Sequence, residues 1–149
     1  MTDAYVVNVD AAVYRLRGGE PRYLLIERGA AEDHAPGSLG LPGGTLEAAP
    51  GDADAIESTL RRELREEVAV EAGDTTLVTS GVFELDTGEP CLNVVLLAEH
   101  ESGDPHPADP EEVAAVHWYD LDGLREDDAV PAFTRGYVEA AEETRTAGR

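Results

Sequence analysis

Four apolar residues, Ile56, Leu60, Leu64 and Val68, recur every fourth position through the segment AIESTLRRELREEV. At about 100° per residue they fall within an arc of about 120°. Only a helix laid against a core satisfies that pattern. Glu63 and Glu67 fall at the margin of the same stripe, interleaved in angle with Ile56 and Leu60. Glu66 lies one step further round, toward Arg62, while Arg61 and Arg65 are expected to point to solvent. Asp54 stands where an N-cap belongs, with Glu57 three residues on, as in a capping box.

Two readings of this helix compete. A solvated, charged helix accounts for the arginines, since Glu57–Arg61 and Arg62–Glu66 are i, i+4 pairs. It accounts poorly for Glu63 and Glu67. These are four apart and repel, by a few tenths of a kcal/mol (~0.3) when exposed and by more when half-buried. A bound cation explains like charges crowded beside a core, and Mg²⁺ is a hard ion that takes carboxylate oxygens. The upstream run LPGGTLE favours the cation. Consecutive glycines let the backbone approach a ligand closely, so a folded-back loop can offer a carbonyl to the same ion.

The rest of the chain reads as a single α+β domain spanning residues 1–149, a mixed sheet with helices packed on it. AYVVNVDAAVYRLRGG and RYLLIERG form a hairpin around a Gly18–Pro21 turn. A Gly- and Pro-dense loop from Gly29 to Asp54 is too long for an ordinary connection. TTLVTSGVFEL and CLNVVLLAEH are strands joined by DTGEP, and a second loop, ESGDPHPADPEE, leads into the strand VAAVHWYDL. DLDGLRE and the stretch from Pro131 to Arg145 are helical. Trp118 is expected to pack on the core at a strand end.

Composition narrows the function. The formal charge is −21, and all eleven basic residues are arginine. Such a surface excludes sequence-independent binding to nucleic acid polymers and to anionic membranes. No apolar run approaches the ~20 residues of a membrane span. The acidic start, MTDAYVVNVD, is unlike a secretion signal, so a cytoplasmic location is expected. Self-repulsion this strong is relieved by salt, since the Debye length shrinks to about 3 Å at 1 M. The composition is therefore halophile-like; an acidic mesophile protein or a partner of a basic protein are the alternatives. Cys91, the one cysteine, sits in an apolar run and reads as a buried thiol. It shows no zinc-ligand spacing with His34, His100, His106 or His117.

LPGGTLE followed by RRELREEVAV resembles the signature of the Nudix hydrolases, and Arg62 to Val68 fits its second half in full. The hairpin ahead and the downstream EEVAAVHWYDLDGL extend the resemblance over roughly residues 5–127. Three positions depart from the pattern. Asp54 replaces a glutamate, EAAPGD is inserted in the loop, and Ala69 replaces a glycine, which suggests a different helix ending. The first two place the usual contact between the signature arginine and that acid, here Arg62–Asp54, in question.

The resemblance implies an α/β/α sandwich and hydrolysis of a nucleoside diphosphate linked to another group. A nucleoside triphosphate, as in the MutT-like branch, ADP-ribose or a related nucleotide would fit. It implies Mg²⁺ or Mn²⁺ held by Glu63, Glu66, Glu67 and the Gly43 carbonyl. Glu112 is the further acid from a later loop, with Glu111, Glu99 and Glu101 as alternatives. Water is the implied nucleophile and Glu67 or Glu112 its base, with Glu66 and Arg62 completing the catalytic set. Gly44, Glu47 and Asp54 support the loop. The resemblance also admits a homodimer, and a nucleotide-binding sensor domain with weak catalysis is the alternative function.

Overall fold

The computed structural model describes residues 4–29 and 37–148. Seven strands form one mixed sheet: β1 (Val6–Arg17), β2 (Glu20–Arg28), β3 (Leu39–Gly40), β4 (Gly43–Thr45), β5 (Glu71–Glu84), β6 (Pro90–Ser102) and β7 (Val113–Asp120). Three helices, α1 (Ala55–Val68), α2 (Leu121–Glu126) and α3 (Ala132–Ala147), complete the fold. The strand order is β3-β2-β1-β6-β5, with β4 paired to β1 and β7 to β2 off that path. The β1–β6 pair is parallel and the others are antiparallel.

Alternation along the strands sends side chains to two faces. On one face Val9, Ala11, Val13, Leu24 and Leu96 pack with Leu60, Leu64 and Val68 of α1. On the other Ala12, Tyr23, Leu25 and Val95 pack with Leu124 of α2 and with Val138 and Ala141 of α3. Helices therefore cover both faces, and the expected α/β/α sandwich is the observed one. Trp118 is half-buried against the α1-side core, as expected. Cys91 is buried in β6, and burial pushes its thiol upward. Among the described residues no helix is long and apolar enough to cross a membrane.

The outer edge of β1 is shared. Tyr14–Arg17 pair with β2, whereas Asn8–Asp10 pair with Thr45–Gly43 of β4. The sheet thus parts between β2 and β4, and a cleft opens at the N-terminal half of β1. The long Gly/Pro stretch is not one loop, since β3 and β4 lie inside it. Its residues 30–36, with His34, lie outside the described residues.

Both helix-end expectations for α1 need correction. Asp54 is the N-cap, but its backbone is left-handed, with φ 52°, and its side chain makes no capping bond. The capping box needs an extended N-cap to aim its oxygen at the first turn, so Glu57 has nothing to reciprocate. Ala69 does not end the helix differently. It adopts the left-handed angles, φ 60° and ψ 38°, that glycine usually takes. The Ala69 and Val70 N–H groups then donate to the Arg65 and Leu64 carbonyls, each at 3.2 Å.

Candidate functional site

The stripe of α1 holds Glu63 and Glu67 against β4. Glu67 is 5% exposed, and its Oε2 accepts the Gly43 N–H at 3.3 Å. Glu63 is nearly as shielded, with 14% of its side chain exposed. Burial raises its pKa, although the Arg62 Nη2 donates to its Oε1 at 3.2 Å. Neither glycine could carry a side chain without a shift in this packing. A Cβ on Gly44 would stand 2.6 Å from Glu63 Oε2, and one on Gly43 would stand as close to Asp10 Oδ1. Glu66, one step round, is 60% exposed.

Glu112 reaches the same place by a second route. The Ala108 and His106 N–H groups donate to the Glu67 and Val68 carbonyls, at 2.9 and 3.2 Å. These are among the carbonyls a helix end leaves without partners, so the loop before β7 is pinned to the end of α1. The Gly29 N–H donates to the Glu112 carbonyl at 2.7 Å and fixes the loop from the other side. Gly29 packs against the Glu111 backbone so closely that a side chain there would collide with it.

The result is a polar cleft of about 380 Å³. Glu63, Glu66, Glu67, Glu112, Gly43, Gly44 and Glu47 all line it. Glu111, Glu99 and Glu101 do not. Arg62 stands beside it, 3.8 Å from Glu66 and 3.9 Å from Glu47. Arg62 thus pairs with Glu47, and Asp54 is among neither its ion-pair partners nor the cleft residues. The Arg62–Glu66 pair is as expected, but Glu57–Arg61 is not formed. Arg61 instead donates to the Ala72 and Gly73 carbonyls at 2.6 and 3.0 Å. It sits only about 20° past Val68 on the helix, near enough to the core face to reach the start of β5. Arg65 does face solvent, paired with Glu71 at 2.6 Å.

Six cleft residues were not expected: Asn8, Asp10, Arg28, Leu41, Thr45 and Asp109. The first two carried a signal, as polar residues interrupting the apolar run VVNVDAAV. Asn8 Nδ2 donates to Asp10 Oδ1 at 2.9 Å and to Asn93 Oδ1 at 2.8 Å. Burial, outweighing the Asn8 bond and the Arg28 charge, pushes the Asp10 carboxyl up to about 6. Asn8, Asp10, Arg28 and Thr45 also line an adjoining cavity of about 460 Å³. Its other walls are largely apolar, with Phe83, Leu85, Phe133 and Tyr137.

Among the described residues no three carboxylate, imidazole or thiol groups converge closely enough to chelate an ion as the side chains stand. The chemistry of the set nevertheless suits a hard cation. All its donors are oxygens, two are carboxylates shielded from water at i and i+4, and Glu66 and Glu112 line the same cleft.

No curated protein sequence matches the chain significantly. Solved structures do. A MutT NUDIX hydrolase from Burkholderia pseudomallei is 29% identical, with a TM-score of 0.73 over 93% of this chain and 98% of that one. The NUDIX domain of Shewanella oneidensis NrtR, solved with ADP ribose, superposes with a TM-score of 0.77 at 21% identity, covering 97% and 90%. A C. elegans Ap4A hydrolase gives 0.71 at 20% identity, covering 97% and 99%. The last two show the fold alone. The NUDIX domain family model matches residues 5–143, a span containing the whole sheet and every cleft residue, and the chain belongs to the Nudix hydrolase family.

Proposed function

We infer that the protein hydrolyses a pyrophosphate bond in a nucleoside diphosphate linked to another group, and that it uses Mg²⁺ or Mn²⁺ to do so. The observation that carries this reading is Glu67, a carboxylate only 5% exposed, held on one helix face beside the half-buried Glu63. Two carboxylates crowded into a shielded place are costly even with the Gly43 N–H on one and Arg62 on the other, and a divalent cation removes the cost. Glu63, Glu66, Glu67 and the Gly43 carbonyl would hold the ion, with Glu112 closing from the opposite loop. When bound, it neutralises phosphate oxygens and lowers the pKa of a water.

The chain's own residues do the rest. Arg62 holds Glu63 and Glu66 in place, and Glu47 anchors Arg62 to the glycine strand. Glu67 or Glu112 accepts the proton of the attacking water. The substrate's phosphates lie in the polar cleft with Arg28 at its wall. Its base enters the adjoining cavity, where Phe83, Phe133 and Tyr137 offer aromatic surface. Nucleoside triphosphates, ADP-ribose and related nucleotides fit this division.

The test is a panel of nucleoside triphosphates, ADP-ribose, dinucleotides and nucleotide sugars, incubated with purified protein in high salt with Mg²⁺ or Mn²⁺. Glu67→Gln should lower turnover by at least about a hundredfold. Undiminished turnover in that variant would overturn the assignment of the site. Nucleotide binding without turnover in the unaltered protein would identify a sensor domain instead.

A further inference from the structure

At the far end of β1 from the cleft lies the one group of described arginines that the acidic chain leaves unpaired. Arg28 is engaged, Arg62, Arg65, Arg125 and Arg145 hold carboxylates, and Arg61 and Arg135 hold backbone carbonyls. Among the described arginines the side chains of Arg15, Arg17 and Arg22 alone form no hydrogen bond or ion pair. In a chain with 32 acids and 11 basic residues, this is the opposite of what chance placement produces.

The three share one sheet face. Arg15 and Arg17 are two apart on β1, and Arg22 stands directly opposite Arg15 on β2. Like charges at such a cross-strand pair are destabilising. Burial, with Arg17 and Arg22 nearby, lowers the Arg15 pKa. The Nε atoms of Arg15 and Arg22 are buried and have no acceptor. The Arg15 guanidinium is held 4.1 Å above the Trp118 ring, and His100 meets the ring edge-on.

Acids that could neutralise the group are at hand and do not. Asp120 is the register partner of Arg22, but its Oδ1 accepts the Gly123 N–H at 2.6 Å and caps α2. Glu20 is the register partner of Arg17 and forms no ion pair with it. Asp104 exerts only the weakest of the influences on Arg15. The group therefore keeps its positive charge, with the buried Nε donors of Arg15 and Arg22 unmatched and Arg17 exposed beside them. At ~0.1 M salt the Debye length is about 10 Å, so the acids elsewhere on the surface are largely screened from it.

We propose that Arg15, Arg17 and Arg22, braced by Trp118, form a second ligand site that binds a small phosphoryl-bearing anion. Guanidinium forks match phosphate oxygens in geometry and charge. The site is about five residues along β1 from Asp10, roughly 17 Å at the rise of a strand. It is thus separate from the acid cleft and does not depend on the reading of that cleft.

The chain's single tryptophan makes the test direct. Trp118 emission is titrated with inorganic pyrophosphate in chelated, divalent-free buffer, with KCl exchanged to hold ionic strength constant. A nucleoside diphosphate is titrated in parallel to distinguish a free anion from an ester. A saturable change with either ligand is expected. Arg17→Gln/Arg22→Gln should weaken it by about tenfold or more, and Glu67→Gln should leave it unchanged. Both altered arginines lie off the buried core, and circular dichroism with a thermal melt checks that the double variant is folded. If it is not, the single exposed substitution Arg17→Gln carries the test, with a smaller weakening expected. No saturable response, an equal response in the folded arginine variants, or loss of the response in Glu67→Gln would overturn the proposal.

Discussion

Asp10→Asn should make the metal-free protein more stable at neutral pH. The Asp10 carboxyl is raised from 3.8 to about 6, with burial as the leading cause. At 1.36 kcal/mol per decade, that disfavours the ionised form by about 3 kcal/mol. That figure already includes the opposing pull of the Asn8 bond and the Arg28 charge, so asparagine removes the whole of it. The net gain expected above pH 6 is about 3 kcal/mol, or roughly 9 °C in Tm for a chain of this length. The sign with pH follows from linkage. The folded pKa lies above the unfolded one, so the native state holds more protons between pH 3.8 and about 6. Stability of the unaltered protein is then lost as pH rises through that window and is flat above it. The gap between variant and parent should be near zero at the acid end and should open as pH rises. Thermal unfolding followed by circular dichroism, in chelator and constant salt, measures it. A gap that does not change with pH, or a variant less stable than its parent at pH 7.5, would refute the burial argument. Because Asp10 also orients Asn8 in the cleft, turnover should fall while stability rises, the trade expected where a strained group serves a site.

Four further expectations rest on other parts of the molecule. Ala69→Gly relieves a left-handed alanine and should add about 1 kcal/mol, roughly 3 °C in a thermal melt, net of the extra freedom glycine has when unfolded. A drop in Tm would mean the helix end relies on the alanine methyl. Arg61→Gln removes two charged hydrogen bonds that tie α1 to β5 and should cost about 2 kcal/mol in denaturant unfolding. Glu57→Gln, which breaks neither a cap nor a pair, should change stability by less than about 0.5 kcal/mol. Raising KCl from 0.1 to 2 M should stabilise the fold by screening the −21 charge; equal stability at both concentrations would remove the halophile-like reading.

How much of this was legible in the chain depends on whether a feature is local. The stripe Ile56, Leu60, Leu64, Val68 and the seating of Glu63 and Glu67 at its margin follow from helical angle alone, and burial agrees with them. Arg61 follows from angle only in part. Its 20° distance from Val68 is local, but the carbonyls it finds belong to Ala72 and Gly73 of the next strand, which no helical wheel contains. Asp54 had the residue type of an N-cap without the backbone angles, which are left-handed here. Glu112 was reachable only through resemblance, since the bonds that carry it to the cleft run from Ala108 and His106 to the end of α1. Asn8 and Asp10 were visibly out of place in an apolar strand. Their purpose depends on β1 being shared, with β2 on Tyr14–Arg17 and β4 on Asn8–Asp10. That division sets the glycine pair opposite Asp10, and α1 then lays Glu63 and Glu67 over the same glycines. The site is therefore a product of strand register as much as of its glutamates. A one-residue slip of β4 on β1 would turn Gly43 and Gly44 away and drive a side chain into Glu63 or Asp10, with every acid of the signature still in place.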